Sequence, residues 1–145
     1  MDASKKSITL TIAWLMLLLM GVLLALGGLE SLLIAYYGGG ELIPGMNSQE
    51  LAAKNPDLPA ALRGRRATAA TLSITCGILV AWIASVPYRR GEKWAWWALL
   101  FSIGSGAALS IFRVQAINTR AGAGAAAIFL AWLLIALAIS YRDMR

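Results

Sequence analysis

The sequence predicts an all-α, polytopic membrane protein whose four transmembrane helices form an antiparallel bundle. Three observations support this fold class: 59% of the 145 residues are hydrophobic, only 14% are charged, and four apolar stretches reach the length of a membrane span. A soluble domain carries charge at about a quarter of its positions, because its surface faces water. This chain has too few charges for such a surface, so we expect a lipid bilayer to surround most of it.

The four apolar stretches cover about residues 8–36, 67–88, 94–113 and 121–141. A helix needs about 20 mostly apolar residues to cross the hydrocarbon core, where its backbone must satisfy its own hydrogen bonds. The first stretch follows two lysines, as a secretory signal would. It is longer than the roughly 7 to 15 residues of a signal's apolar core, so we expect it to be retained as a span.

Residues 38–66 form the longest connection and contain several glycines and prolines that break helices. We expect this loop to lie on the membrane surface rather than to fold as a separate domain. The other two connections, around residues 89–93 and 114–120, are short. Short links make consecutive spans antiparallel neighbours.

Two local patterns predict helix starts inside the long loop. Asn47 and Glu50 have the spacing of a capping box that opens a short helix. Asp57 precedes Leu58 and Pro59, a combination typical of the start of a helix, here one that leads into the second span.

Positive charge favours cytoplasmic termini by a small margin. With four spans both termini lie on the same side, and seven of the thirteen Lys and Arg residues fall there. The cluster Arg63, Arg65 and Arg66 belongs to the opposite side. The net charge of +6 is carried by residues that flank the apolar stretches, which is typical of contact with lipid headgroups and predicts no nucleic-acid partner.

Trp94, Trp96 and Trp97 are predicted interfacial anchors, because they follow a basic segment at the start of the third span. Amphipathic rings are enriched where the hydrocarbon core meets the headgroups. The alternative interpretation is an aromatic cage for a ligand.

Small residues recur at every fourth position in the second span and again in the third. The predicted packing face comprises Ala69, Ser73, Gly77, Ala81, Ser85, Ser102, Gly106 and Ser110. Helices in lipid associate through small residues because these let the backbones approach closely. We expect the two faces to pack against each other or against another chain, so self-association and protein partners both stay open.

Glu30 is the one acidic residue inside an apolar stretch. A charge in hydrocarbon costs on the order of 3 kcal/mol on insertion scales, so it usually has a partner or access to water. Three interpretations stay open: an ion pair with Arg113, which we prefer, a residue wetted at the end of a long helix, and a proton or cation site.

The absent residue types argue against catalysis. The chain has no histidine and a single cysteine, Cys76, and it lacks the Walker, Rossmann and GxSxG patterns. Histidine-ligated haem, most zinc sites and paired-cysteine redox chemistry are therefore not expected. We predict no catalytic residues, no metal and no cofactor.

The segment Tyr88 to Leu100, which reads YRRGEKWAWWALL, resembles a boundary found in small uncharacterised bacterial four-helix membrane proteins. That resemblance implies a bacterial inner membrane and brings no activity with it. The helix count and Glu30 are also similar to the small multidrug transporters. The longer first loop, the off-centre glutamate and the greater chain length depart from that family.

These patterns together predict a non-enzymatic integral membrane protein, an accessory or assembly subunit of a membrane complex. The alternative is a small oligomeric transporter or channel that uses Glu30 as its ionisable site.

Overall fold

The computed structural model describes residues 3–38, 46, 48–117 and 122–144, and nearly all of them are helical. The helices are α1 (Ala3–Tyr37), α2 (Ser48–Lys54), α3 (Leu58–Ile83), α4 (Lys93–Ile117) and α5 (Ala123–Ser140). A π-helical turn (Ala84–Tyr88) extends α3, and a 3-10 turn (Tyr141–Asp143) extends α5.

The described residues contain four helical segments that are long and apolar enough to cross a membrane. These candidate spans are Ile8–Tyr37, Leu58–Tyr88, Lys93–Ala116 and Ala123–Asp143. The predicted all-helical class and the four candidate spans are thereby confirmed.

The predicted loop 38–66 ends earlier in the structure than expected. Helix α3 begins at Leu58, directly after Asp57, as the local pattern indicated. Arginine is a good helix former, so the basic cluster ends the apolar stretch without ending the helix. Glu50 lies in the first turn of α2, whereas its predicted capping partner Asn47 lies outside the described residues.

The chain forms two compact units. The first unit combines Met1–Gly21 with Leu79–Arg145, and the second unit is Val22–Ile78. Helices α1 and α3 each contribute to both units, whereas α4 and α5 belong to the first unit alone.

In the second unit α1 and α3 approach each other at Gly28. A Cβ atom at this position would lie 2.9 Å from both the Ala70 carbonyl oxygen and the Ile74 nitrogen, so only a glycine fits. The Ser73 hydroxyl donates a 3.0 Å hydrogen bond to the Leu24 carbonyl nearby. Small and hydroxyl-bearing residues thus provide the contact, as they do where helices pack in lipid.

The same pair of helices is linked again towards its other end. The Arg66 Nε donates to the Ser31 hydroxyl at 3.2 Å. Residue numbers therefore rise along α1 as they fall along α3, so the two helices run antiparallel. Arg63 extends the contact to α2, because its guanidinium donates to the Ser48 hydroxyl at 3.4 Å.

In the first unit α4 packs against α5 through an apolar seam. The fully or almost fully buried side chains of this seam are Ala95, Leu99, Leu133, Ala136 and Leu137. The Trp96 indole donates a 2.9 Å hydrogen bond to the Leu137 carbonyl, which fixes α5 against the start of α4.

The link between α3 and α4 is shaped by Pro87. Proline lacks a backbone donor and its ring crowds the preceding turn, so it cannot continue an α-helix. The Arg89 nitrogen bonds instead to the Ala84 carbonyl at 3.2 Å, which closes a π turn. Gly91 then adopts a φ of 77°, a left-handed conformation that glycine accepts without strain, and the chain reverses into α4.

Candidate functional site

Tyr88 is a fully buried polar side chain of the first unit. Its side chain is 0% exposed, and its hydroxyl shares a hydrogen bond with the Ser140 hydroxyl. Ser140 donates in turn to the Ala136 carbonyl at 2.8 Å. The π turn aims Tyr88 inward, so it joins the end of α3 to α5 as a structural residue with satisfied polar groups.

Asp143 is a buried carboxylate near the end of the described chain. It is 3% exposed and accepts a hydrogen bond from the Thr9 hydroxyl on α1. A side chain at Gly91 would crowd this segment, since a Cβ there would lie 3.2 Å from the Asp143 carbonyl oxygen. No sequence pattern indicates that Asp143 is buried, because a single acid near a basic terminal segment resembles a solvated residue.

A cavity of about 400 Å³ opens beside α4. We call it the aromatic cavity, and its lining residues are Lys93, Trp96, Trp97, Tyr141 and Met144. The Trp96 ring packs edge-on against Trp97 and Tyr141, with centroids 4.8 and 5.6 Å apart. Trp97 stacks on Phe101 at 5.6 Å.

The charged residues that directly precede Lys93 in the chain have defined partners. Arg89 lies over the Trp14 ring, with its guanidinium carbon 5.1 Å from the ring centroid. The Glu92 carboxylate lies 3.9 Å from Arg90 and accepts a hydrogen bond from the Trp94 indole. Cations and aromatic rings therefore concentrate at one end of the first unit.

The three predicted tryptophan anchors differ in their surroundings. Trp94 and Trp97 are exposed, which suits a headgroup contact. Trp96 is half-buried and bonded to α5, so it also has a packing role that the sequence did not indicate.

Glu30 lies in the second unit and Arg113 in the first, and both are exposed. The proposed ion pair between them stays a prediction. The apolar residues around Glu30 on α1, Leu26, Leu29 and Leu33, are exposed as well.

The predicted small-residue face is not one continuous contact surface. Gly77 is buried and Ser73 contacts α1, whereas Ala69, Ser102 and Gly106 are exposed. Four residues turn a helix by about 400°, so each step in the pattern drifts by about 40°. Residues with this spacing therefore spread around the helix instead of sharing one face.

The remaining members of that face have intermediate exposure. These residues are Ala81, Ser85 and Ser110. A contact of the exposed members with a second chain stays a prediction.

No group of three or more metal-ligating side chains occurs in the part of the chain that the structure describes. Cys76 is an exposed free thiol.

No protein-family model, curated protein or solved structure matches this chain. The resemblance of the segment Tyr88 to Leu100 to bacterial four-helix membrane proteins therefore stays a prediction.

Proposed function

We propose that this protein is a non-enzymatic subunit of a membrane complex, inserted in the bacterial inner membrane as an antiparallel four-helix bundle with cytoplasmic termini. The observation that carries the proposal is the exposure of apolar surface on all four candidate spans. Only 17% to 22% of the residues in the most apolar window of each span are buried. Exposing that apolar surface to water would cost much free energy, whereas contact with the hydrocarbon core of a bilayer would not.

The exposure of Glu30 supports the role of a subunit. This carboxylate lies on α1 among exposed leucines, inside the candidate span Ile8–Tyr37. Leaving a charge in contact with lipid costs on the order of 3 kcal/mol. A polar group from a neighbouring chain that covers Glu30 would remove this cost, and the exposed small residues of α4 offer a second surface for close helix contact.

Reporter fusions test the insertion and the orientation together. A cytoplasm-dependent fluorescent reporter placed after Arg145 should fluoresce in the membrane fraction. Alkaline phosphatase, which is active only outside the cytoplasm, is fused after Arg145 or, in a truncated chain, after Ile117. The fusion after Ile117 lacks α5, so the phosphatase should lie on the opposite side of the membrane and be active. Phosphatase activity in the full-length fusion would reverse the orientation, and recovery of the chain in the soluble fraction would overturn the proposal.

A second candidate function is a small oligomeric transporter or channel that uses Glu30 as a proton or cation site. The same exposed carboxylate favours this function, because an ionisable residue in a span commonly marks an ion pathway. The two functions differ in what Glu30 contacts, which is a partner chain in one and a permeating ion in the other.

Glu30→Gln separates the two functions. If the protein is a subunit, a partner should co-purify with the wild type at fixed stoichiometry in mild detergent. We expect most of that partner to be missing when the variant is purified in the same way. For a transporter, liposomes that contain the purified chain should show proton or cation flux that the variant lacks. Asp57→Asn is the matched control, because it removes an exposed acid before α3 begins. If Glu30→Gln kept the partners of the wild type, and neither the wild type nor the variant showed flux, both roles of Glu30 would be excluded.

A further inference from the structure

We propose that the aromatic cavity binds the phosphate group of an anionic phospholipid and that Lys93 provides the cation. This inference rests on the proposed insertion in a membrane. It goes beyond general anchoring by tryptophan, because it assigns one lipid class to one site in the first unit.

The walls of the cavity are fixed by contacts of their own. Trp96 is held by its hydrogen bond to the Leu137 carbonyl and by edge-on packing against Tyr141. Trp97 is held between Trp96 and Phe101. Because these contacts already restrict the rings, a lipid that enters has less side-chain rearrangement to induce.

The charge of the lining selects an anion. Among the lining residues that the structure describes, Lys93 is the one that carries a charge. Glu92 and Asp143 are adjacent in sequence to the lining residues Lys93 and Met144, and their carboxylates contact Arg90, Trp94 and Thr9. A quaternary ammonium group would be repelled by Lys93, so an aromatic cage for choline does not fit. A phosphate that carries a net negative charge does fit.

The position of the cavity along the candidate spans matches the headgroup level. Lys93 begins the span Lys93–Ala116, and Tyr141 lies at the end of the span Ala123–Asp143. A phosphate at Lys93 therefore lies where the hydrocarbon begins. The acyl chains can then follow the exposed rings of Trp97 and Phe101, of which the latter is 67% exposed.

Native mass spectrometry tests the lipid preference. The delipidated chain in detergent is mixed with equal amounts of phosphatidylglycerol and phosphatidylcholine that carry the same acyl chains. We expect the bound fraction to favour phosphatidylglycerol by about fivefold, the factor that corresponds to ~1 kcal/mol for one lysine at an anionic surface. Lys93→Gln should lose this preference, and Lys93→Arg should keep it.

Lys54→Gln is the matched control, because it removes an exposed lysine of α2 in the second unit. It should bind phosphatidylglycerol like the wild type. Trp97→Leu should weaken binding of both lipids, because it removes one wall of the cavity. The ratio of bound phosphatidylglycerol to phosphatidylcholine should stay as in the wild type, because Lys93 is unchanged.

Two outcomes would overturn the inference. One is equal binding of the two lipids by the wild type. The other is displacement of phosphatidylglycerol by inorganic phosphate but not by sulfate of equal ionic strength, which would assign the site to free phosphate. Neither outcome affects the reporter fusions, so failure of the lipid site is distinguishable from failure of membrane insertion.

Discussion

Gly28→Leu is expected to push α1 and α3 apart in the second unit and to lower the free energy of unfolding by about 3 kcal/mol. The Cβ atom alone would lie 2.8 Å from the Ile74 side chain and 2.9 Å from two backbone atoms of α3. A side chain can rotate away from such a clash, but a helix backbone cannot. The helices must separate, and the Ser73 hydrogen bond to the Leu24 carbonyl is then lost.

The neighbouring glycine provides the control for this prediction. No atom lies within 4 Å of a Cβ built at Gly27, so Gly27→Leu should change stability by less than about 0.5 kcal/mol. Both variants add the same apolar side chain to the same helix. Unfolding in mixed micelles of increasing sodium dodecyl sulfate content, followed by circular dichroism, measures the difference. Equal loss in the two variants would refute the close approach at Gly28.

Tyr88→Ala is expected to destabilise the first unit by about 3 kcal/mol or more. The ring is fully buried, so its removal leaves a cavity between the end of α3 and α5. Tyr88→Phe should cost only about 1 kcal/mol, because it removes a hydrogen bond and keeps the packing. Ser140 retains an acceptor in that variant, since it donates to the Ala136 carbonyl.

The same unfolding measurement ranks these tyrosine variants. Tyr37→Ala is the control, because Tyr37 also ends a candidate span and is 85% exposed. It should have a small effect. If Tyr37→Ala were as damaging as Tyr88→Ala, anchoring at the headgroups rather than packing would explain the role of both tyrosines.

The helices could be predicted because their signal is long and local. A run of about 20 apolar residues identifies a span without knowledge of its neighbours. Hydropathy alone does not locate the start of α3, because charge at Arg63 and Arg66 ends the apolar run although the backbone stays helical. Hydropathy reports where lipid contact ends, and a helix can continue beyond that point.

The packing contacts could not be predicted, because they depend on the rotation of one helix against another. Gly27 and Gly28 are chemically identical in the sequence, and only the structure distinguishes the exposed one from the contact. Tyr88 and Tyr37 likewise both end an apolar stretch, yet one is buried and the other exposed. The tryptophans of the aromatic cavity are visible as a cluster in the sequence. The cavity itself could not be predicted, because Tyr141 and Met144 come from a distant part of the chain.

The hydrogen bond between Thr9 and Asp143 has a consequence for biosynthesis, because 134 positions separate the two residues. At the roughly 5–20 residues per second of translation, Thr9 leaves the ribosome on the order of ten seconds before Asp143 does. The second unit lies entirely within Val22–Ile78, so its contacts can form during that interval. The first unit includes α5, so the contacts of the early part of α1 with the residues after α5 cannot form until that helix has been synthesised.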